Sequence, residues 1–231
     1  MTTAVNSRNI GAHRTRHILY TLLFTTLICG GMLVARMIFT GGTRFAGLFG
    51  NLLLAWIPLL LALLLRRQSA DKRGFFFWGL LVVWVLFFPN AYYIITDLIH
   101  MKKFGEGGVF PWFDLLMTAS FACGGLFLGS LSLYLVHLLV RECWGWRAGW
   151  GFAVTMLALG SFGIYLGRKL RLNSWDVLTR PLKLIGDIGG LAEPQSAREV
   201  AAFSVTFFFF SLLFYAFMVS LARLHEIEEG S

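Results

Sequence analysis

Six runs of predominantly apolar residues take up most of this chain, at roughly 17–39, 45–65, 75–95, 112–140, 148–167 and 201–221. Each is close to or beyond the length of about 20 residues that a helix needs to cross a hydrocarbon core. Charged residues are 14% of the chain, against about 25% in an ordinary globular domain. Surface grows too strongly with size for 231 residues, 57% of them hydrophobic, to hide their apolar side chains in a water-soluble fold. Disorder is excluded for the same reason, since disordered chains are poor in hydrophobic residues. The pattern therefore predicts an all-α, polytopic integral membrane bundle of about six transmembrane helices. No long polar stretch separates the runs. Residues 17–222 read as a single membrane domain between a cytoplasmic N-terminal tail, 1–16, and a polar C-terminal tail, 223–231.

The formal net charge of +8 raises nucleic acid as a partner in a soluble protein. Here the basic residues stand in short clusters between apolar runs, which is the topogenic distribution of membrane proteins, and no nucleic-acid partner is expected. With the N-terminus inside, Lys and Arg divide equally, 10 on each side. The first loops favour N-inside, and without the segment 168–198 the count becomes 10 to 4. The expected location is the cytoplasmic (inner) membrane of a cell. Cys29 and Cys123 lie within apolar runs and Cys143 in a short loop, with no C-x-x-C or histidine spacing that reads as zinc or a disulfide framework. The first apolar run is too long for a signal peptide.

Some polar residues are not explained by topology. Proline at 89 removes an amide and frees the carbonyl of Val85, so the third span should kink or break there, with Asn90 able to supply hydrogen bonds. If the chain continues as a helix, Asp97 and His100 share a face. Asp114 opens the fourth span, where the helix dipole favours a carboxylate. Together these three residues are the candidate acid–base or metal groups. No cofactor is evident, their spacing matches no metal motif, and a divalent cation is one option. After the fifth span, Trp175, Leu178, Leu182 and Ile185 recur at helical steps opposite Asp176, Arg180, Lys183 and Asp187. This predicts an amphipathic helix lying in the outer interface over 173–188, with Asn173 or Ser174 as its N-cap. Arg168, Arg171 and Arg180 are its candidate anion or head-group ligands. Pro89, Asn90, Asn173, Trp175 and Asp176 shape the site. Gly125 and Gly129 in span four, and Gly160, Gly163 and Gly167 in span five, mark close-approach faces. His137 reads as an interfacial residue.

The run Phe-Phe-Pro-Asn-Ala-Tyr-Tyr-Ile-Ile-Thr-Asp-Leu-Ile-His at 87–100, the start Trp112-Phe113-Asp114, the stretch from Leu131 to His137, and Gly163 to Asp176 resemble a bacterial family of multi-pass membrane proteins. This is the domain-of-unknown-function 1361 family. The resemblance runs from about residue 45 to 220. The family form often reads Pro-Asn-Ala-Pro-Tyr, so this chain departs from it at Tyr92, which removes a second kink. The resemblance implies an integral membrane protein and supplies no catalytic residues.

The sequence thus predicts a multi-pass membrane protein with a polar site at the outer ends of spans three, four and five, and leaves open whether it is an enzyme. One class is a membrane enzyme acting on a lipid or lipid-linked phosphate at the outer leaflet. A second is a small-solute or ion transporter with Asn51 and Asn90 inside, and a third is a non-catalytic membrane assembly partner. Membrane lipids, and a lipid-linked or other phosphate-bearing ligand, are the expected partners.

Overall fold

A computed structural model describes residues 2–68, 74–169 and 194–229, together with 186 and 189. The described residues are mostly helical, without strands. The elements are α1 (Thr2–Thr40), α2 (Ala46–Arg67), α3 (Phe75–Tyr93), a 3₁₀ helix (Ile94–Lys103), α4 (Pro111–Lys169) and α5 (Pro194–Glu229). Among them, five helices are long and apolar enough to cross a membrane. Large apolar side chains stand exposed along them, Leu27, Ile38 and Leu213 each above 70%. Outside lipid that exposure would be a severe cost.

A single helix the length of α4 would run about 1.5 Å per residue, far beyond the ~30 Å of a bilayer core. It does not run straight. Gly145 has φ 87° and ψ 174°, a backbone conformation that glycine adopts without a Cβ penalty. The chain reverses there. The Trp84 indole donates to Ser132 Oγ at 2.8 Å and stacks on Phe152 at 5.9 Å. Those two residues would lie about 30 Å apart on one straight helix. Gly149 leaves room for the reversal, since a Cβ there would fall 2.8 Å from His137 Cδ2. The expected loop at 141–147 is thus reduced to one glycine between two helical arms.

The chain divides into two compact units, Met1–Leu53 with Ile94–Leu128, and Leu54–Tyr93 with Gly129–Ser231. In the first, α1 lies antiparallel to the start of α2, Gly30 against Phe49 and Arg36 over Phe45. The first arm of α4 runs antiparallel to α1, with Gly124 beside Thr25 and Asp114 beside Arg36. In the second unit, α3 lies against both arms of α4. A Cβ at Gly129 would fall 2.7 Å from Tyr92 Cε2, one at Gly160 would fall 3.2 Å from Phe88, and one at Gly163 would fall 3.1 Å from Pro89. Of the small residues marked in the sequence, Gly129, Gly160 and Gly163 are where this helix is received. α5 returns along the second arm, Phe203 near Tyr165 and Tyr215 near Trp150.

α3 passes through Pro89 as a helix and changes to 3₁₀ at Ile94. Asn90 Nδ2 donates to the Phe87 carbonyl at 3.1 Å, a neighbouring acceptor to the Val85 carbonyl that the proline frees. α2 likewise contains Pro58. Membrane helices tolerate such prolines because neighbouring groups re-satisfy the backbone. The interfacial helix expected over 173–188 lies outside the described residues.

Candidate functional site

The first unit carries the main polar cluster. Arg36 lies one turn before the end of α1, and its aliphatic stem and guanidinium are buried. A charge in that position is stable only with a partner. Asp114, in the first turn of α4, is that partner. Arg36 Nε donates to Oδ1 at 2.5 Å and Nη2 donates to Oδ2 at 3.1 Å, with Asp114 wholly enclosed. This is the two-pronged geometry that a guanidinium offers a carboxylate. The backbone N–H of Gly105 donates to Oδ2 at 2.9 Å. Gly105 has φ 82°, and a Cβ there would meet Pro111 at 2.7 Å, so glycine is required on two counts. Arg36 also donates to the Glu106 carbonyl at 3.4 Å and lies 4.4 Å over the ring of Phe45. Outside this core, Arg44 pairs with the Glu106 carboxylate, both half-exposed.

Asp97 is buried on the 3₁₀ helix and accepts a hydrogen bond from Asn51 Nδ2 at 3.0 Å. In a 3₁₀ helix, residues three apart eclipse, so the positions of Asp97 and His100 are on one face. The His100 side chain lies outside the described residues. Between α1 and the segment 108–113 there is a groove of about 230 Å³, lined by Ala35, Phe39, Val109, Phe110 and Trp112 and bordered by Arg36. Its walls are apolar because Arg36 turns its charge toward Asp114.

In the second unit, Arg168 Nη1 donates to Tyr93 Oη at 3.5 Å and lies 5.8 Å from that ring. Lys169 pairs with Glu199 at 2.9 Å on the surface. Arg171, Asn173, Trp175, Asp176 and Arg180 lie outside the described residues. His137 has partners inside the protein. It is buried, bonded through Nδ1 to Tyr215 Oη at 2.7 Å, and packed 5.1 Å from the Trp150 ring. Tyr92 Oη is bonded to Ser130 Oγ at 2.8 Å, a polar link between two helices.

The three acid–base candidates are therefore in different situations. Asp114 is engaged by Arg36 and Gly105, Asp97 is bonded to Asn51, and the His100 side chain is not described. No cluster of three or more His, Cys, Asp or Glu able to hold a metal occurs among the described residues. A divalent cation gains no support from them. Arg36 was missed as a site residue because it was counted among the outer topology charges. The signal was present: it stands inside an apolar run, where an unpaired charge is expensive.

Helices of this length and hydropathy, joined by buried polar pairs and studded with exposed apolar side chains, define an integral membrane protein. The family described as protein of unknown function DUF1361 matches residues 51–220, and the chain belongs to it. Neither curated proteins nor solved structures give a match.

Proposed function

We propose that this chain is a six-pass protein of the cytoplasmic membrane, with both termini cytoplasmic, acting as a non-catalytic membrane partner. The observation that carries the reading is the state of Asp114. Both of its oxygens are occupied within the protein, by a guanidinium and a backbone amide, and none of it faces solvent. A general acid or base must come within hydrogen-bond reach of a substrate proton, and this carboxylate is enclosed, with three hydrogen bonds holding α1, α4 and the segment before α4. Asp97, bonded to Asn51, is read the same way. The hairpin at Gly145 supports six passes, because each arm of α4 is long enough to span. Membrane lipids are the partners this reading requires. The enzyme reading, with Arg168, Arg171 and Arg180 as anion ligands for a lipid-linked phosphate, stands second.

Turnover distinguishes the two. The purified chain in phospholipid vesicles carrying a polyprenyl pyrophosphate or phosphatidic acid is expected to release no more orthophosphate than vesicles without it. Release that Asp97→Asn or Asp114→Asn abolishes in a folded variant would overturn the proposal.

A further inference from the structure

The reversal at Gly145 has an unusual surface. Two indoles flank the glycine, Trp144 at 60% and Trp146 at 56% exposed, where an αα turn facing water alone would carry polar residues. Beyond them stand Arg141 and Arg147, both exposed. The one acid in 141–147 is Glu142, and Arg66 of α2 donates to it at 2.9 Å. That pair neutralises the carboxylate from within the protein, so it does not offset the two flanking arginines. Phe75 and Phe76, at the start of α3 in the same unit, are also exposed, at 96% and 70%.

Each part of this arrangement answers to one layer of a membrane surface. Indoles are favoured at head-group level, where an apolar ring and a polar N–H are both satisfied. Guanidinium groups bind phosphate oxygens through two parallel hydrogen bonds. A leaflet rich in anionic lipid attracts basic residues at its surface. We infer that the turn Arg141–Arg147 is a docking site for an anionic phospholipid, Arg141 and Arg147 holding the phosphodiester while Trp144 and Trp146 seat against the glycerol backbone. The inference rests on the six-pass reading, which puts Gly145 at a membrane surface.

The test is lipid retention by the intact protein, released from detergent with equal phosphatidylglycerol and phosphatidylcholine and weighed by native mass spectrometry. Preference for phosphatidylglycerol is expected, falling about fivefold for each arginine removed in Arg141→Gln and Arg147→Gln. Lysine at both positions should keep most of it. Trp144→Ala with Trp146→Ala should weaken retention of both lipids alike. Neutralising Lys102 and Lys103 instead should leave the preference intact. No preference in the wild type, or an undiminished preference in the double Gln variant, would overturn the site. In a Cys29→Ser, Cys123→Ser background, a membrane-impermeant maleimide should label Cys143 from one face. Labelling with no lipid preference sinks the docking site alone, whereas no labelling from either face sinks the six-pass reading and the site with it.

Discussion

Arg36 and Asp114 were both visible in the sequence, but as unrelated residues: one a topology charge, the other a carboxylate at a helix start. Their pairing was not legible because it joins positions 78 apart, and no local spacing rule reaches that far. What could be read was the cost. A guanidinium within an apolar run must find a counter-charge, and Asp114 is the carboxylate that meets it in a wholly buried site. Removing one partner strands the other. Arg36→Met or Asp114→Leu is expected to cost about 3–5 kcal/mol, while the double variant Arg36→Met, Asp114→Leu should cost less than either. Thermal unfolding of the four proteins in detergent gives the cycle. Additive losses would show that the two side chains do not stabilise through each other.

Among the elements, the six apolar runs were read correctly as helices, and their ends less well. Pro89 suggested a kink or a break, and α3 continues through it as a helix, with Gly129, Gly160 and Gly163 making room on the neighbouring arms. The small-residue spacing predicted close packing without saying against what. Glycine sites now separate into two kinds. Gly129→Val and Gly149→Ala place atoms within 3 Å of Tyr92 and His137 and are expected to destabilise by about 1–3 kcal/mol. Gly151 has open space where a Cβ would go, so Gly151→Ala should leave the unfolding temperature unchanged or raise it slightly through helix propensity. Equal effects at all three positions would remove the packing argument.

For the whole molecule, class came from composition, and the six-pass proposal rests on a backbone reversal. Spans four and five looked separate in hydropathy, with a short basic loop between them. They join through one left-handed glycine, and the contact of Trp84 with residues of both arms is what shows the reversal. Parity is the clean test. Six passes put both termini on one side, so cysteines introduced at Ser7 and at Ser231 should both react only from the cytoplasmic face; reaction from opposite faces would mean an odd number. The clasp also has a schedule. The family match begins at residue 51, whereas Arg36 precedes it, so the matched region alone would leave Asp114 without its cation. During synthesis the order is reversed: Arg36 emerges first, and its counter-charge is 78 residues behind. At about 5–20 residues per second, α1 waits roughly 4–16 s with an unmatched guanidinium at its end. Its final seat in the bilayer is therefore fixed only after the start of α4 has been translated.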